Sequence, residues 1–315
     1  MKSSARFIKI ILLVIALLLV LIAGFYGQSD IPVTKLKAAY AQSPSSFISM
    51  DGMDVHYRDE GNLNDTLPLV LIHGTGSSLH TFNDWTAALK NEHRVIRMDL
   101  PGFGLTGPFP DRDYSIGHYL VFVEHFLSAK GIKRCILGGN SLGGEIAWRF
   151  TLKNPEMVDK LILIDAAGYP KESKSVPIGF RIARIPVLNK LLTFITPRSM
   201  VKASVENVYA DKSKVTEPLV ERYFKLTLRE GNRQALVDRM SLATDTSSIH
   251  LMGTIHQSTL VLWGEDDLLI PVNHAQLFHD DLPNDTLVIL KNMGHVPMEE
   301  SPLESLEPVL EFLKH

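Results

Sequence analysis

Cysteine is almost absent. Cys135 is the single one in 315 residues, so no internal disulfide can form, and its place in an apolar run marks a small core residue rather than a reactive thiol. Strong net charge is absent too: 32 basic and 35 acidic residues leave a formal balance of −3, and no basic run interrupts the body of the chain. That removes the electrostatic footprint of a nucleic-acid binder. The twelve histidines show neither H-E-x-x-H nor paired-ligand spacing, and the fuller dinucleotide and P-loop fingerprints are missing, so no metal or organic cofactor is called for. The remainder, 45% apolar and 21% charged, is ordinary globular composition with enough chain for one large domain or two small ones.

Long apolar runs are confined to one place. Ile10 to Tyr26 is almost wholly apolar and follows Lys2, Arg6 and Lys9, a positive flank leading into about 17 residues that could just cross a bilayer. A cleaved signal peptide is the rival, with Ala39-Tyr40-Ala41 as its cleavage site, but that triplet stands beyond the reach of a signal's short polar region. No cysteine follows the run to carry a lipid, and the run lacks a G-x-x-x-G dimerising face. The expectation is a signal-anchor over residues 1–27 that makes the membrane a partner and holds the body on the extracytoplasmic side, or a secreted body if the segment is cleaved. Lys35 and Lys37 beyond the run weaken the charge asymmetry behind that orientation. Residues 28–45, with Pro32, Pro44 and several serines, read as a linker.

Beyond the linker, Asp51-Gly52 between Ser46–Met50 and Met53–Arg58 is a strong hairpin signal. Continuous apolar runs at 67–72, 94–98, 134–137 and 160–165 then alternate with helical patterns near 82–90, 116–130 and 145–153. Such an alternation predicts an α/β fold, a mostly parallel sheet with helices on both faces and functional loops at the carboxyl ends of the strands. The alternation stops from Gly168 to about Ile255, where helical patterns dominate, and resumes with strands at 258–263 and 286–290. The core is therefore assigned to 46–168 and 256–315, with a helical cap over 169–255. A cap inserted there hangs over the strand ends, where it supplies apolar surface and excludes water.

Gly139-Asn140-Ser141-Leu142-Gly143-Gly144 lies between a strand and a helix. A serine on so sharp a turn has an exposed hydroxyl, and the helix behind it offers free N–H groups to negative charge. G-x-S-x-G alone occurs by chance in many chains. A serine nucleophile needs a histidine base and a carboxylate to orient it. His295 in Met293-Gly294-His295-Val296-Pro297 follows the last strand, and Asp266 and Asp267 follow the one before, with Asp165 as a further possibility. Serine, acid, histidine is the order along the chain of one serine-hydrolase fold only.

With these stretches, and with His73-Gly74-Thr75-Gly76 and Asp99-Leu100-Pro101-Gly102-Phe103-Gly104, the chain from about 46 to 313 resembles the capped α/β-hydrolases. That subgroup includes carboxylesterases, monoacylglycerol-type lipases and hydrolases of aromatic meta-cleavage products. The resemblance implies Ser141 as nucleophile, Asp267 as the acid ahead of Asp266, and His295 as base. It also implies an oxyanion hole from the N–H groups of Thr75 and Leu142, with His73 and Asp99 shaping loops. The expected substrate is a small hydrophobic ester. Carbon–carbon hydrolysis of a dienoate is the alternative, against which stand Val296 and Pro297 after the histidine and Tyr223, beside Arg222, at a cap position that carries arginine in those enzymes. Dehalogenase and epoxide-hydrolase chemistry would need aspartate in place of Ser141. A non-catalytic ligand-binding homologue would show a broken triad, and none is visible.

Overall fold

A computed structural model describes residues 26–170 and 172–315, together with positions 9, 10, 13 and 24. The expected signal-anchor over 1–27 lies almost wholly outside the described residues. Among those described, no helix is long and apolar enough to cross a membrane.

Eight strands form one sheet in the order β1-β2-β4-β3-β5-β6-β7-β8. The first two, β1 (Ser45–Met50) and β2 (Met53–Glu60), pair as an antiparallel hairpin. Asp51 and Gly52 at its turn both have positive φ, the conformation a two-residue hairpin loop requires. From β3 (Leu69–Ile72) and β4 (Val95–Met98) through β5 (Cys135–Asn140), β6 (Val158–Ile164), β7 (Ser258–Gly264) and β8 (Asp285–Leu290) the pairing is parallel.

Period-2 alternation divides the apolar strands between two cores. Val70, Ile72, Ile96, Met98 and Leu137 face one side, while Leu69, Leu71, Val95, Ile136 and Ile162 face the other. On the first side lie α3 (Ile116–Ala129), α4 (Leu142–Lys153) and α10 (Asn273–Asp281), contributing Phe122, Phe126, Ile146, Phe150 and Phe278. The second is covered by α2 (Asn83–Leu89) and α12 (Pro302–Lys314), through Trp85, Leu89, Leu306 and Val309. Ser115 caps α3 by accepting from the His118 N–H, and Asn154-Pro155 ends α4.

Between β6 and β7 runs a helical insert: α5 (Ile178–Ala183), α6 (Leu188–Leu192), α7 (Arg198–Glu206), α8 (Glu217–Thr227) and α9 (Asn232–Ser241). It has small apolar clusters of its own, one of Ala183, Leu192 and Val237, another of Val201, Phe224 and Leu228.

The stretch read as a linker, 28–45, is not one. It carries α1 (Val33–Tyr40), whose Leu36 is buried against Leu105 and Leu226. The Ile31 N–H donates to the Leu228 carbonyl at 2.7 Å, and Arg233 of the insert pairs with Asp30 at 2.6 Å. Its prolines fit this ordered path, since Pro32 stands just before α1, where no helix hydrogen bond is lost.

Candidate active site

Ser141 closes β5 and opens α4. Its backbone, at φ 55° and ψ −115°, lies where a residue with a side chain is strained. Three hydrogen bonds hold it there: its N–H donates to the Ile164 carbonyl, and its own carbonyl accepts from Glu145 and Ala167, each at 3.0 Å. The flanking glycines are a packing requirement. A Cβ on Gly139 would come within 2.2 Å of the Gly143 carbonyl, and one on Gly143 within 2.1 Å of the Ile72 oxygen.

His295 and Asp267 reach each other from the loops after β8 and β7. The Nδ1–H of His295 donates to Asp267 Oδ2 at 2.6 Å, both side chains buried. The other oxygen, Oδ1, accepts from the N–H groups of Leu269 and Ile270 at 2.8 and 3.0 Å. The carboxylate is thus locked, the imidazole tautomer is fixed, and Nε2 keeps its lone pair. Asp266 is exposed, and among the described residues no hydrogen bond joins its side chain to His295. Ser141, His295 and Thr75 line one cavity, whose wall is otherwise mainly apolar, with Val176, Phe180, Leu192, Met200, Val201 and Leu236 from the insert. Among the described residues the N–H groups of Thr75 and Leu142 have no hydrogen-bond partner. His73 and Asp99 do shape loops. The His73 Nδ1–H donates to the Gly74 carbonyl and its Nε2 accepts from the Leu100 N–H, while burial pushes its pKa down. Asp99 accepts from Leu79, Leu105 and His56, each at 2.7 Å.

Asp165 does not act as the histidine's partner but lies against it: polar atoms of Asp165, Asp267 and His295 fall within 4.8 Å of one another. Burial, and then the facing Asp267 charge, push the Asp165 carboxyl well above the usual carboxylate range. Asp267 Oδ2 and His295 Nδ1 are already engaged with each other, an arrangement suited to proton handling.

Residues 68–302 match the family model for the alpha/beta hydrolase fold. The chain belongs to that family. This alpha/beta hydrolase is similar to the uncharacterised hydrolase YugF of Bacillus subtilis (strain 168), 27% identical over 87% of this chain and 99% of that protein. It is also similar to a 2-hydroxy-6-oxo-6-(2'-aminophenyl)hexa-2,4-dienoic acid hydrolase of Metapseudomonas resinovorans, 26% identical over 89% of this chain and 93% of that one. Among solved structures it resembles a bacterial membrane phospholipase A, at TM-score 0.69 and 26% identity over 100% of this chain and 98% of that one.

Three features of the hydrolase site were not foreseen from sequence. The side chain of Asn140 donates to the carbonyls of His295 and Ile164, at 2.9 and 3.2 Å. Glu300 is buried and accepts from the N–H groups of Gly294, Ala210 and Asp211, at 2.8, 3.2 and 2.7 Å, which ties the histidine loop to the insert. Glu299 accepts from the Tyr223 hydroxyl at 2.8 Å and pairs with Arg222, and the same hydroxyl meets Ser77 at 3.2 Å. The only sequence signal for these is a pair of glutamates just past the histidine.

Proposed function

We propose that this alpha/beta hydrolase is a serine esterase that cleaves carboxylic esters of hydrophobic acyl groups through an acyl-enzyme. The observation that carries this reading is the His295–Asp267 hydrogen bond beside a strained Ser141, with serine and histidine opening on one apolar cavity. In this mechanism His295 Nε2 takes the Ser141 proton as the oxygen attacks the acyl carbon, and Asp267 stabilises the resulting imidazolium. The N–H groups of Thr75 and Leu142 meet the oxyanion, where losing one such donor costs about 100- to 1000-fold in rate. The imidazolium returns its proton to the departing alcohol. Water then attacks the acyl-enzyme by the same route and releases the acid. No metal or organic cofactor takes part.

The insert over 169–255 serves as the lid of the pocket carried by 46–168 and 256–315. Residues 1–27 tether the enzyme to a membrane with its body on the extracytoplasmic side. The apolar run with its basic flank supports the tether, as does the likeness, over the whole chain, to a membrane phospholipase A. Cleavage of the segment would make the same enzyme a secreted one.

Carbon–carbon hydrolysis of a dienoate is the second reading, favoured by the relative named for such a substrate and by Arg184 on the cavity wall, a cation that suits a carboxylate. The test is hydrolysis of short and long p-nitrophenyl esters by the protein and by Ser141→Ala, each also challenged with a fluorophosphonate. Turnover and labelling that vanish together in the variant establish the esterase. Labelling without ester turnover turns to dienoates, and a folded protein that neither labels nor turns over is a binding homologue.

A further inference from the structure

The insert has an outer face unlike the rest of the surface. Residues 173–205 include six basic residues and no acidic one. Arg198 and Lys202 are paired with glutamates, whereas Lys174, Arg181 and Lys190 are exposed and form no ion pair among the described residues. Between these cations stand Ile185, Val187, Leu188, Leu191 and Phe194, all exposed, Val187 at 74% and Phe194 at 68%. Val187 is also a β-branched residue at φ 74°, so strained backbone holds an apolar side chain outward. A cluster of outward apolar groups fringed by unpaired cations is the composition of a segment that rests in a lipid headgroup layer.

Its place in the chain gives the occupant. The apolar run ends at Tyr26, and two residues later the Gln28 N–H donates to the Phe194 carbonyl at 2.8 Å, beside a bridge between Gly27 and Ile195. Arg233 fixes the same turn by donating to the Gln28 carbonyl and to Asp30. Two residues span at most about 7 Å, so the patch is held within about 10 Å of the end of the run. The inner side of the same elements lines the cavity with Phe180, Arg184 and Leu192, opposite Ser141.

We propose that this face of the insert lies on an anionic lipid surface, and that the hydrophobic ester reaches Ser141 from that surface without crossing water. The route to Ser141 rests on the esterase reading; the lipid contact does not.

The test uses the full chain with a single environment-sensitive fluorophore on Phe194→Cys, in vesicles of phosphatidylcholine and phosphatidylglycerol with and without doxyl-labelled lipid. Burial pushes the native Cys135 thiol up to about 12, so the introduced thiol takes the label. Leu63→Cys is the control, exposed in the loop leading into β3 and so at the sheet edge opposite Ser141. The expected result is a blue shift and doxyl quenching at 194 and neither at 63, with quenching reduced in phosphatidylcholine alone. A water-like, unquenched label at 194 overturns the proposal. So does a blue shift without doxyl quenching, which would place a second copy of the chain on the patch. Equal quenching in the uncharged vesicles overturns its electrostatic part. Quenching in a protein without esterase activity upholds the lipid contact and sinks only the esterase reading. In an active protein, Val187→Ser with Phe194→Ser should lower hydrolysis of a bilayer-dispersed long-chain ester several-fold and leave a short soluble ester untouched.

Discussion

The side chain of Asn140 donates to the backbone carbonyl of His295 at 2.9 Å, so the residue before the proposed nucleophile holds the main chain of the proposed base. Asn140 ends β5 and His295 follows β8, and this bond spans them, while a second, from Asn140 to the Ile164 carbonyl, ties β5 to β6. Asn140→Ala leaves the buried His295 carbonyl without its donor, a loss of about 1–3 kcal/mol for such a group, while the Ile164 carbonyl keeps the Ser141 N–H. The expected outcome is a lower denaturation midpoint together with a fall in kcat larger than any rise in KM, read by steady-state kinetics on a soluble ester.

The locked carboxylate separates its two candidates. Asp267→Asn should cut turnover by about 10³- to 10⁴-fold, because the imidazole loses its fixed tautomer and the partner for its positive form. Asp266→Asn, at an exposed position, should leave turnover near that of the unaltered protein. Paired kinetics on the two variants, with circular dichroism to show that both fold, decides the matter, and the reverse ranking would reassign the acid.

Asp165 makes stability depend on pH in an unusual direction. Its folded pKa is raised by burial and by Asp267, while the unfolded chain releases the same proton near about 3.9. Between those two values the native state holds a proton that the unfolded state has lost, so this group's contribution to stability falls as pH rises through that window. Asp165→Asn removes the penalty and puts an amide N–H donor in place of the acid's O–H. Thermal unfolding at a series of pH values above 4 should show the variant gaining on the parent as pH increases; parallel curves would mean that Asp165 is ionised in the native state.

The N-terminal helix sets where the chain can be cut. Removal of residues 1–27 keeps Asp30 on Arg233 and Leu36 in its cluster, and should yield a folded, soluble body. Removal of 1–44 exposes Leu105 and Leu226, forfeits the burial of Leu36, worth about 1.5–3 kcal/mol, and strips Arg233 of its partner. Denaturant midpoints of the two truncations should differ in that order, and equal midpoints would show α1 to be a passenger.

The strands, the elbow at Ser141 and the helical interruption were legible because each has a local signature: continuous apolar runs, glycines two residues either side of a serine, and a change of hydrophobic period. Helix α1 was not, since it is short and buries only Leu36, and what orders it is pairing with residues some 200 positions away. The choice between Asp266 and Asp267 came from the resemblance, because adjacent aspartates in a loop have no periodicity to tell them apart. Asn140 looked like a spacer in a motif, and its contact with His295 depends on two loops meeting in space. Glu300 carries a charge that composition places on the surface, yet it is buried on three backbone N–H groups.

That buried carboxylate has a bearing on how the molecule can diversify. Glu300 fastens Gly294 to Ala210 and Asp211, and the His295 N–H donates to the Val208 carbonyl at 2.8 Å, so the loop carrying the histidine and the insert above it share one set of fasteners. The upper storey is therefore not an interchangeable module. Transplanting the corresponding segment of a distant relative would strand the glutamate and loosen the histidine along with it. New substrate ranges should arise in this lineage by exchange of single side chains on the inner wall, with the backbone around 208–211 left as it stands.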